Sequence, residues 1–248
     1  MNHNLIVDIG NTNIKLAIFD QHNAILFKDI VSSEQLAPTL SFLNSKYPIA
    51  RSIIANVAGT LPIELQEFTQ QVPFHMELNA STSLPIMNAF QTPETLGVDR
   101  IAAVVAANHL YPQANNLVIC AGTCITYNYI TKTNTFRGGA ITPGIQMRLD
   151  AMHHFTSRLP SVQIGYVGSI MGYDTQSCMQ SGAVLGAVYE IDTFINEYRA
   201  QFNDFNVLLT GGDAILLESR IKNKIFADTE LVIKGLQIIL NYNAPKIS

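Results

Sequence analysis

Charge is scarce in this sequence: Asp, Glu, Lys and Arg make up only 14% of 248 residues, against 48% hydrophobic. That balance excludes a disordered tail and leaves little surface for an extended polyelectrolyte partner. No Lys/Arg-rich stripe is present, and the net charge is -4. DNA and RNA are therefore not expected as ligands, because nothing would displace counterions from a phosphate backbone. Cysteine is also rare. Cys120, Cys124 and Cys178 are odd in number and lack CxxC or Cys/His zinc spacing, so neither a disulfide framework nor a structural metal is expected, and a reducing cytoplasm is the natural compartment. The first residues carry no basic region followed by an apolar stretch, and no uninterrupted apolar run approaches the roughly 18 residues of a membrane span. Neither secretion nor membrane insertion is expected. No GxxxxGK[ST] segment and no GxGxxG after a strand occurs, which sets aside P-loop and Rossmann enzymes. The six histidines form no HExxH or triad-like pattern.

The length suits two compact lobes, each able to bury most of its own apolar surface. The chain opens with an apolar run at Asn4 to Val7, a polar turn at Asp8-Ile-Gly-Asn-Thr-Asn13, and a second run at Ile14 to Phe19. This reads as strand, turn, strand, followed by a third strand at Ala24 to Phe27, a helix near Gln35 to Asn44 and a strand at Ser52 to Val57. Asp99 to His109 is apolar enough for a buried helix, stopped before Pro112. After a break at Pro112 to Asn116 the plan recurs. Leu117 to Ile119 is a strand, Gly122-Thr123 a turn and Ile125 to Ile130 a strand, with Asn134 as a hairpin tip before Phe136. Thr175 to Phe202 follows as a long amphipathic helix whose Gly182 and Gly186 are spaced to admit another helix, and Val207 to Thr210 is a strand ending at Gly211-Gly212-Asp213. The echo divides the chain into residues 1–114 and 115–248, and two lobes facing each other would bring both Gly-Thr turns to one cleft.

The first turn combines a carboxylate at a strand end (Asp8), a glycine that lets backbone approach a ligand (Gly10), and amide and hydroxyl donors (Asn11, Thr12). Such a turn can hold phosphate oxygens while the carboxylate orients hydrated Mg2+; equally, it can be a hairpin chosen for its conformation alone. Lys15 adds a phosphate contact or sits on a solvated face. The Gly122-Thr123 pair repeats the donors, and two such turns suit a chain of phosphates. Gly138-Gly139-Ala-Ile-Thr-Pro-Gly144 and Thr210-Gly-Gly-Asp213 read as glycine turns at strand ends, where backbone could approach a nucleotide's sugar and base. Asp99 can take the proton of an attacking hydroxyl, or merely cap the helix that follows it, and Arg100 can pair with an anionic substrate.

Taken together, Asp8-Ile-Gly-Asn-Thr-Asn-Ile-Lys15, Thr92-Pro-Glu-Thr-Leu-Gly-Val-Asp-Arg100, Ala121-Gly-Thr-Cys-Ile-Thr126, Gly138-Gly-Ala-Ile-Thr-Pro-Gly-Ile145, Met179-Gln-Ser-Gly182 and Thr210-Gly-Gly212 resemble the type III pantothenate kinases, in the family's order and over nearly the whole chain. The resemblance implies an α/β, duplicated actin-like (ribonuclease H-like) fold with mixed sheets flanked by helices. It also implies transfer of a phosphoryl group from ATP to pantothenate, the first step of coenzyme A synthesis, with Mg2+ and a monovalent cation such as K+ or ammonium. By that resemblance Asp8, Ile9, Gly10, Asn11, Thr12, Asn13, Ile14, Lys15 and Thr123 would contact ATP, with Asp8 reaching Mg2+ through water. Gly97, Val98, Asp99 and Arg100 would contact pantothenate, with Asp99 the general base. Thr175 lies where the family takes a substrate contact from a partner subunit, implying a homodimer.

Three positions depart from the family pattern. Phe90 stands where a tyrosine is usual. Cys120 stands where an aspartate binds the monovalent cation, although K+ prefers hard oxygen ligands to a neutral thiol. Asn128 occupies a position that is often acidic. Two alternatives stay open on the sequence: a family member that has lost catalysis and acts as a nucleotide-binding regulatory protein, and another actin-like phosphotransferase acting on a sugar or an acid.

Overall fold

The computed structural model describes residues 2–245. The chain opens with β1 (His3–Ile9), β2 (Ile14–Phe19) and β3 (Ile25–Val31), then α1 (Ser33–Lys46), β4 (Ile49–Asn56), α2 (Ile63–Thr69), β5 (Phe74–Glu77) and the two-residue β6 (Met87–Asn88). After α3 (Val98–Leu110) come β7 (Asn116–Ala121), β8 (Cys124–Ile130), β9 (Thr135–Pro143), α4 (Ile145–His154) and α5 (Thr175–Phe202). The chain closes with β10 (Asn206–Thr210), α6 (Ala214–Glu218), β11 (Phe226–Ala227) and α7 (Leu231–Asn243).

Contacts divide the chain into two compact units. The first holds the chain up to Pro112, Asn134–Phe136 and the segment from Glu230 onward; the second holds Gln113–Thr133 and Arg137–Thr229. The sequence places everything after residue 114 in the second lobe, whereas the contacts group α7 with the first. Packing supplies the reason. Gly235 of α7 lies so close to α3 that an added Cβ would fall 1.8 Å from the Ala102 carbonyl oxygen. The buried Gln237 accepts a hydrogen bond from Asn4 Nδ2 of β1 at 3.1 Å. An apolar helix such as α7 needs an apolar partner face, and α3 supplies one, with residues 100–107 all buried.

The first sheet has the order β3-β2-β1-β4-β5, and the second repeats it as β9-β8-β7-β10-β11, with the two-residue β6 added in parallel on β9. In both, the hairpin pair (β1–β2, β7–β8) is antiparallel, and the pairings on the other side of the central strand (β1–β4 and β4–β5, β7–β10 and β10–β11) are parallel. The duplicated α/β architecture with mixed sheets is thus present in the register itself. Residues two apart share a face of a strand. Leu5, Val7 and Ile9 accordingly pack with Leu36, Leu40 and Leu43 of α1, leaving Asn4, Ile6 and Asp8 on the opposite face. In the second unit Leu117, Ile119 and Ala121 of β7 pack with α5.

Two sequence readings are corrected. Gly138 and Gly139 are not a turn: both lie within β9, and a Cβ on Gly139 would meet the Tyr127 carbonyl oxygen at 1.8 Å, so this glycine serves close packing on β8. Gly182 has no described atom within 4 Å of an added Cβ, and Gly186 has only Arg148 Nη1 at 4.0 Å, so neither admits a helix within the described residues.

Candidate active site

Asp8 occupies the penultimate position of β1, directly across the ladder from Lys15 of β2. Only 6% of its surface is exposed, and Lys15 Nζ lies 3.6 Å from Oδ2. Burial pushes the Asp8 carboxyl above the usual carboxylate range; Lys15 pulls it down, and the neighbouring Asp99 charge pushes it up again. Asp99 is therefore close enough to Asp8 to be felt electrostatically. The topology explains why: Asp8 lies on the sheet face opposite α1, and α3, which carries Asp99 in its first turn, packs on α7 over that face. Between β1 and β2 the loop closes with Gly10 N–H donating to the Asn13 carbonyl at 3.0 Å. Asn11, Thr12 and Asn13 are exposed at its tip, whereas Ile9 and Ile14 are buried in the strands beneath it.

Asp99 is not the cap of α3. The cap is Gly97, which makes no side-chain cap bond, and Asp99 is the second helical residue. Its carboxylate folds back over Gly97 so closely that a Cβ there would lie 2.6 Å from Oδ1. Gly97 thus keeps the space the carboxylate occupies, and Val98 joins the two. Arg100 is buried, unusual for a guanidinium, and lies 5.8 Å from the centre of the Phe90 ring. Phe90 in turn stacks on Phe136 at 6.3 Å. The ring can hold a cation against its face without the tyrosine hydroxyl.

In the second unit three turns meet on the end of β7. The Gly122-Thr123 turn is closed by Gly122 N–H donating to the Cys124 carbonyl, and Thr123 is exposed. Gly144, which caps α4, donates its N–H to the Thr123 carbonyl at 3.1 Å; a Cβ on it would lie 2.0 Å from the Gly122 oxygen. Gly211, at φ +104°, is pressed against Ala121 so closely that a Cβ would fall 2.1 Å from the Ala121 carbonyl oxygen, and Asp213 N–H donates to the same carbonyl. Burial pushes the half-buried Asp213 carboxyl upward. Gly144 and Gly211 are the residues whose part in the site the sequence left vague, since only their packing distinguishes them from ordinary turn glycines.

Cys120 sits two residues before Gly122. Asn128, fully buried, directs its Nδ2 toward Cys120 Sγ at 3.9 Å and donates to Thr126 Oγ1 at 2.9 Å and to the Val118 carbonyl at 3.2 Å. The thiol thus has an amide donor turned toward it where an aspartate would present carboxylate oxygens. Thr175 is exposed as the first residue of α5, behind an Asp174 cap that accepts from Ser177 N–H. Among the described residues no group of three or more His, Cys, Asp or Glu side chains could hold a metal ion, and no helix is long and apolar enough to cross a membrane. A cavity of about 520 Å3 is lined by Asn4, Asp20, Arg51 and Gln237; it lies at the start of β1, not at the Asp8 end.

The duplicated sheets, with a carboxylate and a glycine turn where β1 ends, define the actin-like fold class. Solved structures agree on the fold. A conserved Campylobacter jejuni protein described as a Baf family transcriptional activator superposes with a TM-score of 0.60 at 21% identity, covering 96% of this chain and 98% of that one. The polyphosphate/ATP-glucomannokinase of Arthrobacter does so at 0.53 and 15% identity, covering 98% and 100%. Residues 4–197 match the family model described as type III pantothenate kinase. The chain belongs to the type III pantothenate kinase family. The enzyme of that name from Bacteroides fragilis is 41% identical over 244 residues, covering 98% of this chain and 100% of the relative, and that from Flavobacterium johnsoniae is 37% identical over 243 residues, covering 96% and 97%.

Proposed function

We propose that this chain transfers the terminal phosphoryl group of ATP to the hydroxyl of pantothenate, with Asp99 as general base. The observation that carries the assignment of roles is the pairing of a buried strand-end carboxylate, Asp8, with a second carboxylate, Asp99, near enough to raise its pKa. Phosphoryl transfer passes through a loose transition state, so catalysis rests on positioning and charge more than on covalent chemistry. Asp99 takes the hydroxyl proton late, and Gly97 leaves room for its carboxylate. Arg100, buried beside Phe90, pairs with the pantothenate carboxylate. The β1–β2 loop from Asp8 to Lys15 and the exposed Thr123 offer N–H, O–H and ammonium donors to ATP.

Asp8 fits a water-mediated contact to Mg2+, because that ion keeps several waters and needs only one or two carboxylates beside the phosphates. When bound, Mg2+ neutralises charge on the phosphate oxygens. A monovalent cation is another matter. The Cys120 thiol with the Asn128 amide turned toward it is a poor donor set for K+, so the cation requirement of this protein is altered or absent.

The reading includes a homodimer in the cytoplasm. Tyr166, Ile170, Met171 and Tyr173, between α4 and α5, are 64–87% exposed, and Gly182 is open, which fits coverage by a second copy near Thr175. Sedimentation should give twice the chain mass.

The test is ADP release with ATP, Mg2+ and pantothenate, run in K+, ammonium and Na+, with Asp99→Asn as control. Pantothenate-dependent turnover that falls by roughly a thousandfold in the variant is the expected result. ATP binding without turnover in any salt would instead favour the catalytically impaired regulator, and turnover with a sugar or acid in place of pantothenate would redirect the substrate.

A further inference from the structure

We infer that Glu190 and Arg148 are positioning residues for the nucleotide: together they hold the Pro143-Gly144 peptide onto the Gly122-Thr123 turn and so set the height of the Thr123 donors. The inference rests on the reading that Thr123 contacts ATP.

Glu190, in the middle of α5, collects three partners at one half-buried carboxylate. Tyr127 OH donates to Oε1 at 3.1 Å, Thr142 Oγ1 donates to the same oxygen at 2.6 Å, and Arg148 Nη2 meets Oε2 at 2.7 Å. Arg148 does not end there. Its Nε donates to the Pro143 carbonyl at 2.9 Å, so one planar guanidinium ties the carboxylate on α5 to the peptide that precedes Gly144. The next link is backbone: Gly144 N–H donates to the Thr123 carbonyl at 3.1 Å. Gly144 is also in van der Waals contact with the turn so tightly that it has no room for a side chain. A displacement of Pro143 must therefore move the Thr123 carbonyl or break that bond.

Burial shows the network is built rather than incidental. Arg148 and Glu190 side chains are only 21% and 24% exposed. Tyr127 is fully buried and stacked on Phe194 at 4.1 Å, and burial beside Glu190 pushes its hydroxyl pKa well up, which keeps it a donor. The arrangement spans β8, β9, α4 and α5, and no element needs it for its own hydrogen-bond ladder. It reaches the turn through the Pro143-Gly144 peptide, and Thr142 Oγ1 also lies 3.5 Å from the Ile125 carbonyl of β8. The guanidinium fork is required because a lysine has a single point of charge and cannot serve both Glu190 and the Pro143 carbonyl in fixed geometry.

The experiment compares Arg148→Lys, Glu190→Gln and Tyr127→Phe with the wild type, measuring ATP affinity by calorimetry in Mg2+, steady-state KM for each substrate, and thermal unfolding. Losing one charged hydrogen bond at this distance from the ligand is expected to weaken ATP binding and raise its KM roughly tenfold in Arg148→Lys and in Glu190→Gln. The KM for pantothenate should stay within about twofold, and Tyr127→Phe should have the smallest effect. A double variant carrying both changes should be no worse than either alone, because the two residues act on one peptide. Variants that fold with wild-type unfolding temperature and bind ATP as the wild type does would overturn the inference. So would equal losses for both substrates, which indicate a general structural role. Failure of the underlying reading looks different: Thr123→Ala would then bind ATP as tightly as the wild type does.

Discussion

Asp8 and Cys120 occupy the same place in the two repeats, two residues before the glycine of the first hairpin turn, yet their surroundings have diverged. Asp8 faces Lys15 across its ladder and pairs with it; Cys120 faces Thr126 and receives an amide from Asn128. The backbone has been kept with care. Val57 N–H donates to the Ile9 carbonyl at 3.0 Å, and Asp213 N–H donates to the matching Ala121 carbonyl at 3.1 Å. Gly59, three residues past β4, and Gly211, directly after β10, have φ of +103° and +104°. Duplication thus preserved hydrogen bonds, which are costly to leave unmade, and let charge drift, because a side chain at a turn can change without disturbing the ladder.

The comparison is broken most severely by making the first turn like the second. Asp8→Cys should lower kcat/KM by roughly 100-fold or more, because the residue proposed to orient Mg2+ is lost. Rates measured across an Mg2+ titration will show whether excess metal restores activity, and full activity at ordinary Mg2+ would mean that Asp8 has no such part. Next come the two glycines. Gly211→Ala adds a backbone collision with Ala121 to the strain of positive φ, whereas Gly59→Ala, with open space around it, carries the strain alone. Chemical denaturation should show a loss of about 1–2 kcal/mol for Gly59→Ala and a clearly larger one for Gly211→Ala. Equal losses would show that the Gly211 contact is slack.

The converse swap, Cys120→Asp, should be milder: it gives the second turn a hard oxygen ligand, and a K+ dependence of a few-fold is expected where the wild type has little. Identical K+ titrations would refute the idea. The smallest effect concerns Asp213. Its carboxyl is raised by burial, so the folded state holds the proton more tightly than the unfolded chain does. Stability from that group is present at pH below the unfolded value and declines as pH rises through the window up to the folded value. Asp213→Asn should therefore unfold at a slightly higher temperature than the wild type at neutral pH, with the difference shrinking as pH falls into the ordinary carboxylate range. A gap that grows on acidification would reverse the assigned sign.

Much of the plan was legible from residues. The strand-turn-strand openings at Asp8 to Asn13 and Gly122-Thr123, the helix after Leu96, and the long helix from Thr175 to Phe202 follow from local periodicity and turn chemistry, and Asn134 takes the positive φ of a hairpin tip. These signals are local, so the sequence carries them whole. Others were missed though their pattern was present. Leu231 to Leu240 is apolar at helical spacing, but that α7 lies on α3 depends on Gly235 meeting Ala102, a contact between residues 133 positions apart.

The sequence by itself determined the family, the repeated hairpins and the candidate chemistry of Asp8, Asp99 and Arg100, because motif identity and short-range periodicity depend only on neighbours along the chain. Tertiary structure alone decided that α7 lies on α3, with Gly235 against Ala102. It also placed Gly139 in close strand packing and joined Glu190 through Arg148 to a turn nearly seventy residues away. Those outcomes depend on which surfaces meet, and burial sets that only once the whole chain has closed.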